Sequence, residues 1–413
     1  MGIPRDNIDA LTGLRFVAAF TIALGHYYEP WLEVSGIGMP LFFTLSGFII
    51  HYVYADSFAA GWSRAAWEFA VARFSRIYPL YFVLLTYNVL HSPMGHSFAQ
   101  ASNFPAFLAY GFACWTWYPF TVDDHPLLNW QYHISWSIAT EMFFYLAYAV
   151  FFYRIARIRN LQFCIVLLTA FCMASYLLLY ALFLTRDAWE VVGLSYFPQF
   201  FRYSENFGES FYRWLLYFSP YVRILEFIGG CLTAQAFLLI RHNSALRAGF
   251  RTGVLAWTAI VTMLALWAAF FYNGMHHPWL AVGNTSVAAF LVSLHMNFLL
   301  APSCYMLIFS LALGRSIVSR AVAAPMPRFL GHISYSTYLS HMLAERVLVH
   351  LRIEIAATVP HLIAIFAAIY ALSWLLYATV EVPAKRLLRR LFSPIRAGSP
   401  LAGSLQDNPA PDG

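Results

Sequence analysis

Arg15 and His26 stand eleven residues apart in the mostly apolar stretch LTGLRFVAAFTIALGHYYEP, residues 11–30. Three turns of α-helix take about 10.8 residues, so the two side chains fall on one face, about 16 Å apart along the axis. A guanidinium is a permanent cation that forks around phosphate or carboxylate, and an imidazole can serve as a general base near neutral pH. Both are costly to place in hydrocarbon. Taken singly, each has an ordinary explanation: Arg15 can snorkel to lipid phosphates, and His26 can sit at an interface beside Tyr27 and Tyr28. Their shared face also lets the pair line a cavity.

Three further groups carry possible chemistry. RFSRIYPLYF sets Arg73 and Arg76 one helical turn apart. They are either positive charge flanking a span or a two-guanidinium fork for phosphate groups. SWSIATEMFFYL sets Ser137 and Glu141 four apart, and a carboxylate in mid-span is functional or paired with a cation. HISYSTYLSHM puts Ser334, Tyr338 and His341 on one helix face, with Glu345 one turn beyond. Those residues either hydrogen-bond helices together or take part in chemistry. His276 and His277 adjoin in a turn with no further ligand run nearby, so no metal site is expected. Phosphate-loop, dinucleotide-glycine and nucleophile-elbow motifs are absent.

The elements that must position these residues are membrane helices. Of 413 residues, 61% are hydrophobic and 11% charged, against roughly 25% charged in an ordinary soluble domain. Long continuous apolar runs exclude an outer-membrane barrel, whose strands alternate. The net charge of +6 falls in short basic loops and is no nucleic-acid footprint. Five cysteines without metal or disulfide spacing read as small core residues. The runs define about ten spans, near 11–28, 38–54, 77–90, 134–153, 161–184, 222–240, 254–272, 279–313 (one long span kinked at Pro302), 333–350 and 361–380. The segment 56–76 reads as a cytoplasmic loop before the third span, and 104–117 as interfacial or re-entrant. Basic loops all fall on one side, which places both termini in the cytoplasm. The first run reads as a retained anchor, not a cleaved leader. The expected class is all-α, a polytopic membrane helical bundle over residues 1–392, with a disordered tail at 393–413.

These residues resemble the acyltransferase 3 family of bacterial membrane O-acyltransferases over most of the chain. IDALTGLRFVAAFTIALGH is similar to the family's opening block, whose arginine and histidine map to Arg15 and His26. GIGMPLFFTLSGFII resembles the second-span block with Ser46, Gly47 and Phe48 in place. RFSRIYPLYF matches the paired-arginine block at Arg73, Arg76 and Pro79, and SWSIATEMFFYL the Trp-Ser-then-Glu pattern at Trp136, Ser137 and Glu141. LGHISYSTYLSHM and VEVPAKRLLRR resemble the closing blocks. Met39-Pro40 stands where the family often has a Val-Asp pair, and no esterase-like domain follows the membrane region.

The resemblance implies a bacterial inner-membrane enzyme that moves an acyl group, most often acetyl, from cytoplasmic acyl-CoA to a hydroxyl of a carbohydrate acceptor. The acceptor would be a surface polysaccharide or a lipid-linked glycan. It implies that Arg73 and Arg76 hold the donor phosphates, that His26 is the general base, that Arg15 orients donor or base, and that Ser137 and Glu141 organise the cavity. Acyl-CoA would be a co-substrate, with no tightly bound cofactor and no metal. The residues alone leave a second reading open: a transporter or flippase of a glycan precursor, in which the same groups relay protons.

Overall fold

The computed structural model describes residues 5–27, 34–129, 132–241, 243–276, 285–294, 297–314, 316–350 and 358–392. Almost all of them are helical, as a chain in hydrocarbon must be to satisfy its own backbone. The strands are one two-residue hairpin, Thr121–Val122 paired with His125–Pro126. Its two-residue turn is Asp123-Asp124, both at positive φ, the geometry a tight hairpin prefers. Ser97 Oγ (2.5 Å) and Asn103 Nδ2 (2.7 Å) donate to the Asp123 carboxylate. Those bonds hold its pKa below the ordinary carboxylate range.

The helices used below are α1 (Arg5–Tyr27), α2 (Ser35–Ala60), α3 (Trp62–His91), α4 (Phe104–Gly111), α5 (Trp136–Val150), α6 (Leu161–Leu184), α7 (Arg186–Tyr196) and α8 (Pro220–Ile240). They continue with α9 (Thr252–His276), α10 (Val287–Leu294), α11 (Ala301–Leu313), α12 (Pro325–His332), α13 (Ser334–His350), α14 (Val359–Leu376) and α15 (Val382–Phe392). Among the described residues seven helical segments are long and apolar enough to cross a bilayer. The protein is an all-α polytopic membrane bundle.

Three expectations about boundaries change. The basic segment 56–76 is no loop: α2 and α3 are separated by Gly61 alone, and Arg64, Arg73 and Arg76 all lie within α3. A 30-residue helix is about 45 Å long, more than the roughly 30 Å hydrocarbon core, so its basic half can stand in the interface and beyond. The stretch 279–313 is not one kinked span. Its described parts form two short helices, α10 and α11, with Pro302 in the first turn of the second, where a missing N–H costs nothing. The last span, expected over 361–380, does not end there but continues through KRLLRR. α14 runs through a π-helical turn (Tyr377–Glu381) into α15. The expected tail, 393–413, and the side chains of His276 and Glu345 lie outside the described residues, as does His277. The segment 104–117 contains the short α4, then packs inward: Tyr110 and Trp115 are buried, and Trp117 Nε1 donates to Ala139 O of α5 at 2.7 Å.

The core is built around α2, which packs along α8 on one side and α1 on the other. A Cβ on Gly47 would stand 2.1 Å from Phe227 O, and one on Gly230 would stand 2.2 Å from Thr44 O. Only glycine permits this backbone-to-backbone approach, the use of small residues expected at membrane helix interfaces. Nearby, Arg223 and Glu226 form an ion pair at 3.2 Å with both side chains fully buried. The Arg223 guanidinium lies over the rings of Phe43 (5.0 Å), Tyr217 (5.3 Å) and Trp136 (5.6 Å). At the periphery α6 fully buries only Cys164, Ser175, Leu179 and Phe183, and Phe163, Val166, Met173 and Leu177 of this apolar helix are exposed. All five cysteines are free, and three are buried as core residues.

Candidate active site

Five helices, α1, α2, α3, α5 and α13, line a partly open pocket with about 720 Å³ of empty space, its open mouth included. Its polar lining is Arg15, Ser46, Arg73, Arg76, Ser137 and Glu141. Three tyrosines, Tyr145, Tyr335 and Tyr338, complete it among apolar side chains of α2. Five of the six expected site residues therefore meet in one chamber. The paired arginines face it because three residues of helix nearly complete a turn. Pro79, one turn on, leaves the Ser75 carbonyl without its helical donor.

The charges are unevenly matched. Arg73 lies among the rings of Tyr54 (5.5 Å), Phe69 (5.9 Å) and Tyr145 (5.9 Å), and its Nε is buried without a hydrogen-bond partner. Arg15 lies within electrostatic range of Arg76, Glu381 and Glu141. Yet among the described residues no ion pair joins Arg15, Arg73 or Arg76 to a carboxylate. Both nearby carboxylates accept from hydroxyls instead: Glu141 Oε1 from Ser46 Oγ at 2.6 Å, and Glu381 Oε2 from Ser336 Oγ at 2.8 Å. Guanidiniums without a carboxylate in ion-pair contact can receive an anion. His332, on α12 beside this cluster, is held below the ordinary histidine range by burial and then by the neighbouring Arg15.

Ser137 is bonded to α13. Its Oγ donates to the Tyr338 hydroxyl at 2.8 Å, and Tyr338 donates to Ile134 O at 2.7 Å. This chain pins α13 against the start of α5. Tyr335 adds a bond from its hydroxyl to Ile77 O of α3 at 2.6 Å.

His26 is not part of the chamber. It lies at the far end of α1, exposed, with Nδ1 2.8 Å from Ile22 O. Its imidazole neighbours His341 of α13, with ring centroids 5.0 Å apart. The Tyr27 hydroxyl donates to the His341 carbonyl, fastening the two helices there. His341 in turn stands one turn beyond Tyr338, with ring centroids 6.0 Å apart. The shared face of Arg15 and His26 is thus continued, past the chamber, by residues of α13. A second, smaller pocket, also partly open, lies further along α3 and α13; Asn88, Tyr132, His133 and Arg346 are among its lining residues. Arg346 Nη1 donates to Asn88 Oδ1 at 3.0 Å.

The acyltransferase domain family model matches residues 8–378, nearly the whole described bundle. The chain belongs to this acyltransferase family. A curated relative, the peptidoglycan O-acetyltransferase OatA of Listeria monocytogenes, is 25% identical over 156 residues, which is 36% of this chain and 24% of the relative. The chain thus spans well under two thirds of that relative's length. No solved structure matches the chain.

Within the family frame, the structure adds residues that spacing alone did not single out. Glu381 is buried in the electrostatic range of Arg15 and Arg76. It sits in ATVEVPA, an apolar run that the mid-span carboxylate argument also covers, but the basic KRLLRR just after it disguised the site as a span's end. Tyr145 lies one turn past Glu141 and cages Arg73. Arg223 and Glu226, three apart at the start of α8, were legible as an intramembrane pair. Among the described residues no group of three or more metal-capable side chains occurs.

Proposed function

We propose that the protein is a membrane O-acyltransferase that takes an acyl group, most simply acetyl, from acyl-CoA and places it on a hydroxyl of a carbohydrate acceptor. The observation that carries this reading is the cluster of Arg15, Arg73 and Arg76 lining one chamber with no carboxylate paired to any of them. A donor bearing a diphosphate and a further phosphate suits three guanidiniums better than a neutral sugar does. Basic residues gather toward this end of the bundle, and the excess of Lys and Arg on cytoplasmic faces of membrane proteins supports the cytoplasm as the side of entry, where acyl-CoA is made.

The pantetheine arm of the donor then extends along the chamber toward Ser137 and Tyr338. The diphosphate stays at the arginines. The acceptor approaches from the opposite end, where the second cavity and His26 lie. His26 Nδ1 faces a carbonyl, so Nδ1 carries the proton and Nε2 presents a lone pair. This is the tautomer a general base needs. The hydroxyl loses its proton as its oxygen attacks the thioester carbonyl. The C–S bond then breaks, and the thiolate takes up a proton to leave as free CoA. The family relative named for O-acetylation of peptidoglycan supports a glycan acceptor carried in or near the membrane.

The deciding experiment follows thiol release from acetyl-CoA by purified protein in nanodiscs, with envelope glycans as acceptor. Release that requires Arg73 and His26 is expected. If well-folded protein releases no thiol with acetyl- or longer acyl-CoA, the residues serve transport and the acyl-transfer reading fails.

A further inference from the structure

His341 is a buried base with an uncommitted nitrogen. The residue is fully buried, and its Nδ1 lies 2.6 Å from Tyr338 O. A carbonyl oxygen only accepts, so Nδ1 holds the proton and Nε2 holds the lone pair. That Nε2 is buried and has no hydrogen-bond partner. A histidine kept only for packing would be expected to satisfy both nitrogens or to be replaced by an apolar residue, because a buried unsatisfied acceptor is destabilising.

Its position gives the nitrogen a use. On one side is Tyr338, which lines the arginine chamber; on the other is His26, 5.0 Å away between ring centroids. Both imidazoles have Nδ1 turned to a backbone carbonyl of their own helix, Ile22 O for His26 and Tyr338 O for His341. Both therefore keep Nε2 for proton transfer. His26 is exposed and His341 is enclosed, so the pair leads from the acceptor side into the donor chamber.

Acyl transfer from a thioester to a hydroxyl releases a proton at the acceptor oxygen and consumes one at the departing sulfur. Oxygen and sulfur share one carbon in the tetrahedral intermediate, so two neighbouring imidazoles with free Nε2 atoms can divide the two proton transfers between them. We propose that His341 is a second proton-transfer residue of the reaction. His26 Nε2 accepts the hydroxyl proton as the C–O bond forms; His341 Nε2 receives it, directly or through one water, and gives it to the thiolate as the C–S bond breaks. The proton count closes, and no outside acid or base is consumed. The inference rests on the acyl-transfer reading above.

The test measures kcat and the KM for acetyl-CoA for wild type, His341→Gln, His341→Met and the double variant His341→Gln with His26→Ala, together with acyl-CoA binding by each. Gln keeps a donor for Tyr338 O and fills similar space; Met fills the space without a polar group. Either substitution is expected to lower kcat by about 10²–10⁴-fold, with acyl-CoA binding retained as proof of a folded chamber. The double variant is expected to be no slower than His26→Ala alone, because the two residues act in series. Turnover of His341→Gln within a few-fold of wild type would overturn the proposal, as would losses that multiply in the double variant. Absence of any thiol release from wild type would instead overturn the acyl-transfer reading, and this inference with it.

Discussion

Arg73 shows how a single side chain can be made ready for a ligand. Its guanidinium is enclosed by three aromatic rings, which hold it in place by cation–π attraction without neutralising it. Its Nε waits for an acceptor. Charge-assisted hydrogen bonds are worth about 1.5–3 kcal/mol, so Arg73→Ala should weaken CoA binding roughly 10- to 150-fold. Isothermal titration with CoA in nanodiscs checks this, and dephospho-CoA separates the contribution of the 3′-phosphate. The Ser46→Ala variant should matter differently. It removes the hydroxyl that Glu141 accepts from, leaving that carboxylate to turn toward the arginines and compete with the donor. A higher KM with intact folding is the expected result, and an unchanged KM would deny the Ser46 bond that role. Arg15, Arg73, Arg76, Ser137 and Glu141 were legible in the sequence because charge and small polar groups are rare in apolar runs, and each shows against that background. What spacing could not show is partnership. Spacing put Ser137 and Glu141 on one face of α5, but it could not tell that Ser137 bonds Tyr338 of α13, since pairing across helices depends on how they are rotated about their axes.

At the scale of elements, hydropathy located the helices well and their ends poorly. A helix in an interface goes on after its apolar residues stop, because Lys and Arg side chains reach water from inside it. That is why α3 extends back through Arg64 and α15 carries KRLLRR. The break between α10 and α11 was misread as a kink because a proline is equally at home in a helix's first turn. Two predictions belong here. Gly47→Ala would set a methyl group 2.1 Å from Phe227 O, so α2 and α8 must part. Overpacking of this kind costs about 1–3 kcal/mol or more, read as a lower melting temperature in detergent. The second concerns α7. Burial pushes the Glu190 carboxyl up from its ordinary 4.5 to about 7, although it accepts backbone N–H bonds from Tyr212 (2.7 Å) and Tyr203 (3.2 Å). A raised carboxyl is stabilising when protonated. Its contribution is full below about pH 4.5 and is lost as pH rises through about 7. Melting temperature should fall over that interval, and Glu190→Gln should flatten the slope.

For the whole molecule, the proposed anion site would tie folding to ligand. Three like charges gathered in a membrane chamber repel one another, and an anion that binds only the folded state relieves this. Saturating CoA at about 100 times its Kd should stabilise the fold by about 2.7 kcal/mol, seen as a rise in melting temperature. In Arg73→Ala at the same CoA concentration the stabilisation should shrink to about 0.3–1.4 kcal/mol, and an undiminished rise there would move the anion site away from the chamber.

The glycine contacts of α2 and α8 bear on how such a chamber could open. Helices that touch backbone to backbone have no side chains between them to reshuffle, so this pair cannot hinge or slide by small steps. The wall that α2 gives the chamber is therefore the fixed jaw of a vice. Whatever travel admits a bulky donor falls to the opposing jaw, α3 and α13, which meet each other and α5 through side chains: packed apolar groups, three tyrosine and serine hydroxyl bonds and the Arg346–Asn88 bond.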